Sequence, residues 1–175
     1  PSTYGQPPTF TATVSPYTAT GTVVFDIDGN DKPPATISNG QATFTPISLA
    51  AGSHTITATY SGTNNYLNST SAALSQVANQ ATTTTTVSSS ANPSTYGQPP
   101  TFTATVSPST ATGTVVFDID GNDKPPATIS NGQATFTPIS LAAGSHTITA
   151  TYSGDDNYLN STTALTQTVN KATTT

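Results

Sequence analysis

Thr101-Phe102-Thr103-Ala104-Thr105-Val106-Ser107 places Phe, Ala and Val at every second position and a hydroxyl side chain at each of the others. A period of two sends alternate side chains to opposite faces of an extended chain, so this stretch reads as a β-strand with one apolar face and one threonine face. A slip of one residue would exchange the two faces, which fixes the register. The same heptapeptide stands at residues 9–15.

Outward from this strand the repetition continues. PSTYGQPPTFTATVSP occupies residues 1–16 and 93–108, an offset of 93 − 1 = 92. Between residues 1–70 and 93–162 three positions differ: Tyr17 against Ser109, Thr63 against Asp155, and Asn64 against Asp156. A repeat this long is a whole domain, not a solenoid turn, and the two copies must share one fold. Past residue 70 the register slips by one, so that Leu74 matches Leu165 and Asn79-Gln80-Ala81-Thr82 matches Asn170-Lys171-Ala172-Thr173. The expected organisation is a first repeat at residues 1–80, a second at 81–171, and the start of a truncated third at 172–175. Because Pro1 aligns with Pro93, the first repeat has no counterpart of Thr82–Ser89. It is expected to lack its N-terminal strand and to expose an unpaired sheet edge.

Composition agrees with an all-β chain. Of 175 residues only 6% are charged, every acid is Asp, and Arg, Glu, Cys, Met and Trp are absent. The strong helix formers Glu and Arg are replaced by 40 threonines, whose β-branched side chains suit a pleated surface. Without Cys there is neither a disulfide framework nor a thiolate metal site. A net charge of −5 with three lysines offers no basic patch for nucleic acid or anionic membranes, and no apolar run is long enough to span a bilayer.

The second copy reads as seven strands: Thr82–Ser89, Thr101–Ser107, Gly113–Ile119, an edge segment after Pro125-Pro126, a strand carrying Ala134 and Phe136, His146–Tyr152, and Thr162–Val169 with Leu165 and Val169 inward. Asp120-Gly121 and Asn131-Gly132 supply hairpin turns. The fold class is therefore all-β: two tandem immunoglobulin-like β-sandwiches of about seven antiparallel strands each, the first lacking its N-terminal strand. TGTVVFDIDG (residues 20–29 and 112–121), NGQATFTPISLAAGSHTITATYSG (39–62 and 131–154) and NYLNST resemble the bacterial immunoglobulin-like repeat domains over nearly the whole of both copies. That resemblance implies tandem arrays in large secreted or cell-surface proteins, serving as stalks that present an adhesive or enzymatic head. It carries over no catalytic residue.

The polar residues offer few candidates for chemistry. His54 and His146, one per copy, have no HxH, HExxH or Cys partner and read as strand-end side chains bonded to an adjoining loop. Gly144-Ser145-His146 is not a nucleophile elbow. Asp26-Ile27-Asp28-Gly29-Asn30-Asp31 resembles the start of an EF-hand, but Asp31 stands where Gly is needed and Ile37 where a bidentate Glu is needed. It is equally a hairpin turn. If successive sandwiches join bottom to top, Asp28 and Asp31 of the first would approach Asp155 and Asp156 of the second, and four converging carboxylates call for a hard cation. An interdomain Ca²⁺ is the expectation at these four residues.

Two surface readings remain. Thr55, Thr57 and Thr59 beside Thr11 and Thr13 would form threonine ladders, open to O-glycans or to ice. Tyr66 and Tyr158, with Tyr4 and Tyr96, are either a platform for sugar rings or plugs over the ends of the sandwich. The expected function is a non-catalytic spacer of an extracellular or cell-surface, adhesin-like protein, whose partners are neighbouring repeats. The alternatives are a module binding glycans or a cell-surface ligand, and a filament subunit self-associating by strand donation through the open edge. The linker Asn79-Gln80-Ala81-Thr82 has no Gly and no Pro, which predicts a semi-rigid rod.

Overall fold

A computed structural model describes residues 1–174. Thr175, the last residue of the expected third repeat, lies outside them. After Gln80 the chain divides into two compact units. The first runs β1 (Ser2–Thr3), β2 (Phe10–Thr13), β3 (Thr22–Ile27), β4 (Asn30–Asp31), β5 (Ala35–Thr36), β6 (Gln41–Phe44), β7 (Gly52–Tyr60), β8 (Ser69–Thr70) and β9 (Leu74–Asn79). The second runs β10 (Thr84–Ser89), β11 (Ser94–Thr95), β12 (Phe102–Ser107), β13 (Thr114–Ile119), β14 (Asn122–Asp123), β15 (Ala127–Thr128), β16 (Gln133–Phe136), β17 (Gly144–Tyr152) and β18 (Ser161–Asn170). There is no helix among the described residues.

Each unit is a two-sheet sandwich. In the second, one sheet has the order β10-β12-β16, and the other the order β11-β18-β17-β13-β14 with β15 beside β13. The alternation sets the core: Phe102, Ala104, Val106, Val115, Phe117 and Ile148 face inward and are fully buried, and Phe117 meets Phe136 of the facing sheet with ring centroids 5.9 Å apart. Leu165 is only half-buried, and the deep position on β18 belongs to Gln167. The hairpin turns carry positive φ at Asp120 (54°) and Gly121 (82°), and at Asn131 (50°) and Gly132 (76°), as type I′ turns require.

The first unit repeats this plan with two differences. Its smaller sheet holds β2 and β6, and among the described residues no strand stands where β10 stands in the second unit. The added residue after Thr70 also breaks its last strand: β8 and β9 take the place of the single ten-residue β18. The threonine rows do not form one array, since β2 and β7 belong to different sheets and their outer faces look away from each other. A flat ladder of the kind an ice lattice requires is not assembled.

Candidate functional site

One polar cluster recurs in both units. Asp28 follows β3 and Asp120 follows β13, each as the first positive-φ residue of its turn. Asp28 N–H donates to Thr55 O at 3.0 Å, and Thr55 N–H donates to the Asp28 carboxylate at 2.8 Å. The side chain thus stands in for a backbone carbonyl and carries the β3–β7 ladder one step beyond Ile27–Ile56. The second carboxylate oxygen lies 2.6 Å from His54 Nδ1, whose Nε2 lies 2.8 Å from Ala50 O. His146, Asp120, Ala142 and Thr147 repeat every distance.

Both ring nitrogens face oxygens, a carboxylate and a backbone carbonyl, an arrangement that favours the doubly protonated imidazolium. The hydrogen bond to Asp28, then that to Ala50 O, holds His54 above its ordinary pKa against the opposing effect of burial. The bond from His54, then that from Thr55 N–H, holds Asp28 below the usual carboxylate range. His146 and Asp120 behave alike. While it is protonated, the ring has both protons committed to these oxygens and no lone pair with which to take a proton or bind a metal. The cluster clasps a turn onto the start of a strand. Each member is visible in the sequence, but their pairing across 26 positions is not. The one available signal is that a single His and a single Asp-Gly turn recur together in both copies.

A second cluster exists only in the second unit, where Asp155 replaces Thr63. Its carboxylate accepts from Thr112 N–H (2.9 Å) and Oγ1–H (2.8 Å), Asn157 N–H (2.8 Å) and Tyr158 N–H (2.9 Å). These bonds outweigh the opposing effect of burial and keep Asp155 below its ordinary pKa. Burial foremost, then the Asp155 charge, pushes the Tyr152 phenol up to about 12. Tyr158 is buried, with its hydroxyl 2.6 Å from Thr110 Oγ1, and so plugs the end of the sandwich. Its counterpart Tyr66 is half-buried against the core and bonds Thr18. Tyr4 is half-buried, and Tyr96 is the exposed member of the four.

Of the four residues expected to hold calcium, Asp28 and Asp155 therefore have their oxygens engaged by local N–H and O–H donors. Asp31 is exposed in β4 opposite Asp26, and Asp156 is exposed in the loop after Asp155. Among the described residues no group of three or more His, Cys, Asp or Glu side chains is placed to hold a metal ion. Gln167, unremarked in the sequence, is fully buried. Its Nε2 donates to Ala91 O (2.9 Å), Thr168 O (2.9 Å) and Ser94 Oγ (3.3 Å), fastening the chain where it crosses from one sheet to the other.

The sequence profile of the bacterial Ig-like domain (group 3) matches residues 1–79 and again 85–170. No curated protein matches the chain in sequence. Among solved structures, the chain is similar to the fibronectin(III)-like modules of Clostridium thermocellum CbhA, at 19% identity and a TM-score of 0.42, over 97% of this chain and 88% of that one. It is also similar to SGBP-B of the Bacteroides ovatus mixed-linkage glucan utilization locus, solved with a mixed-linkage heptasaccharide. There the identity is 16% and the TM-score 0.31, over 94% of this chain and 64% of that one.

Proposed function

As the chain belongs to the bacterial Ig-like domain family, group 3, we propose that it is a tandem pair of load-bearing spacer modules from an extracellular or cell-surface protein, without chemistry of its own. The observation that supports this reading is a parallel strand pair that recurs in both sandwiches, β1 with β9 in the first and β11 with β18 in the second. Ser2 and Thr3 pair in parallel with Ala78 and Asn79, and Ser94 and Thr95 with Val169 and Asn170. Tyr4 N–H and Tyr96 N–H extend the two ladders to Asn79 O and Asn170 O, each at 2.8 Å. When force pulls Ser2 away from Asn79, or Ser94 away from Asn170, the parallel strands slide along each other. The hydrogen bonds between them lie across the pull and share the load instead of opening one at a time. A connection of this kind suits a module that transmits tension.

Stretching the chain end to end tests the reading. Each clamped loop, Ser2–Asn79 or Ser94–Asn170, releases roughly 25 nm when it extends. Two events of that size are expected, and Tyr96→Pro, which deletes the Tyr96 donor, should lower the force of one of them. Unfolding forces indifferent to that substitution would sink the clamp. The spacer reading further expects no binding across a panel of soluble polysaccharides, whereas saturable binding would favour a carbohydrate module.

A further inference from the structure

Asn-Ser-Thr stands at residues 68–70 and again at 160–162. Of the twelve asparagines in the chain, only Asn68 and Asn160 have Ser or Thr two places on with a residue other than Pro between. Asn92 is followed by Ser94, but Pro93 intervenes. The spacing matters chemically. An amide nitrogen shares its lone pair with its carbonyl and is a poor nucleophile, and the enzymes that attach a sugar to it read a hydroxyl two residues on, a reading that an intervening Pro blocks.

The second unit shows how such an asparagine is presented. Asn160 is the last residue before β18 and is exposed. The backbone of its loop is held in place: Ala81 N–H donates to Asn157 O (2.9 Å), Leu159 N–H to Ala81 O (2.9 Å), and Thr83 Oγ1–H to Leu159 O (2.9 Å). Gly154, at φ +82°, lets the loop close tightly, since a Cβ there would stand 2.9 Å from Tyr158 O and 3.1 Å from Asn160 N. On this fixed backbone the Asn160 side-chain amide makes no hydrogen bond among the described residues. Other asparagines commit theirs to the fold: Asn92 Nδ2 donates to Thr166 O at 2.8 Å, and Asn122 Nδ2 to Ile119 O and Asp120 O. Asn68 is exposed at the matching place in the first unit.

We propose that Asn160 and Asn68 are acceptor sites for N-linked glycosylation, one per repeat. The donor is a sugar activated at its anomeric carbon as a phosphate or pyrophosphate ester. Nδ2 forms the new bond to that carbon, the carbon–oxygen bond to the phosphate breaks with its electron pair leaving on oxygen, and the amide gives up one proton. The third residue of each triplet sets the timing. In the folded units Thr162 Oγ1 lies 3.0 Å from Thr151 Oγ1 and 3.3 Å from Ala150 O, and Thr70 Oγ1 lies 3.2 Å from Thr59 Oγ1. Transfer therefore precedes the docking of the last strand, while these hydroxyls are free, and the finished glycan stands in solvent clear of the core. The proposal rests on the extracellular reading of the chain, because an exported chain meets its transferases before it folds.

The test takes the full-length protein from the cells that produce it, after protease treatment of intact cells has shown on which side of the membrane the repeats lie. Peptides covering Asn68 and Asn160 are weighed by mass spectrometry before and after an amidase that cleaves the sugar–asparagine bond and leaves aspartate. A gain of at least one sugar on each peptide is expected, removed by the amidase. Thr162→Ala and Asn160→Gln should each clear the sugar from the second site alone, with Asn68 as the internal control, and Thr162→Ser should keep it. Bare asparagine at both sites overturns the proposal, and the protease result judges the surface reading separately. Sugar that survives Thr162→Ala, or that alkaline elimination releases, is not attached through this spacing and overturns it as well.

Discussion

Replacing Asp28 and Asp120 together by Asn tests the His–Asp clasp while leaving the turns intact. Asn tolerates the φ of 55° and 54° found there and keeps an oxygen for the Thr55 and Thr147 N–H groups, while the charged oxygen facing the imidazole becomes an NH2 that donates instead of accepting. The contact is short, 2.6 Å in each unit, with the histidine side chain 13–14% exposed but the carboxylate 44% exposed. Solvent screening of such a half-open pair limits its worth to about 1 kcal/mol per unit, the upper end for exposed ion pairs. For a domain of this size that corresponds to about 5 °C in Tm.

The sign with pH follows from the two partners. The histidines are raised above 6.5, so their contribution is complete below about 6.5 and is lost as pH rises through the folded value. The aspartates are lowered below 3.8, so theirs is complete above about 3.8 and is lost as pH falls through the folded value. Thermal unfolding by circular dichroism from pH 4 to 8 in low salt should show the parent exceeding the variant most between about pH 4 and 6.5, with the gap closing towards pH 8. A gap that is the same at pH 5.5 and pH 8 would refute the charge argument, and no gap at any pH would refute the clasp.

Other expectations concern the loops. Gly154→Ala should cost about 2 kcal/mol or more in a urea melt of the second unit, because φ is +82° there and the new Cβ would sit 2.9 Å from Tyr158 O, which is backbone. Thr63→Asp should stabilise the first unit by about 1 kcal/mol, since Thr63 Oγ1 holds Asn65 N–H at 3.3 Å where Asp155 gathers four donors at 2.8–2.9 Å. Both changes are read as shifts in the urea midpoint. With the oxygens of Asp28 and Asp155 engaged by local donors, melting curves in millimolar Ca²⁺ and in chelator should superimpose. A rise in Tm with Ca²⁺ alone would point instead to an ion bridging those residues.

The fold was legible because period-two alternation states both the strand and its buried face, as Phe102, Ala104 and Val106 demonstrate by being almost wholly covered. The Asn131-Gly132 turn was legible because few residue pairs accept positive φ twice in succession. The missing strand could be read from the offset of the two copies alone. Alternation also puts Gln167 on the same face as Leu165 and Val169. Its buried Nε2 is met by Ala91 O and Ser94 Oγ, 76 and 73 positions away in the chain, as well as by Thr168 O, and local pattern carries no such information. The clasp escaped for the same reason: periodicity fixes which face a histidine takes, but not which turn a neighbouring strand brings to it. The threonine rows misled because two strands with matching patterns can lie in different sheets.

The most direct test of the spacer account compares two pulling directions on the second unit within the full chain. One attaches at Ser94 and Asn170, so that β11 shears end to end along β18; the other attaches at Gly113 and Ser161, away from the parallel pair. If the terminal strands form the load-bearing element, the end-to-end unfolding force exceeds the other several-fold. Equal forces, or a weaker end-to-end direction, would contradict the claim that this chain is built to carry tension.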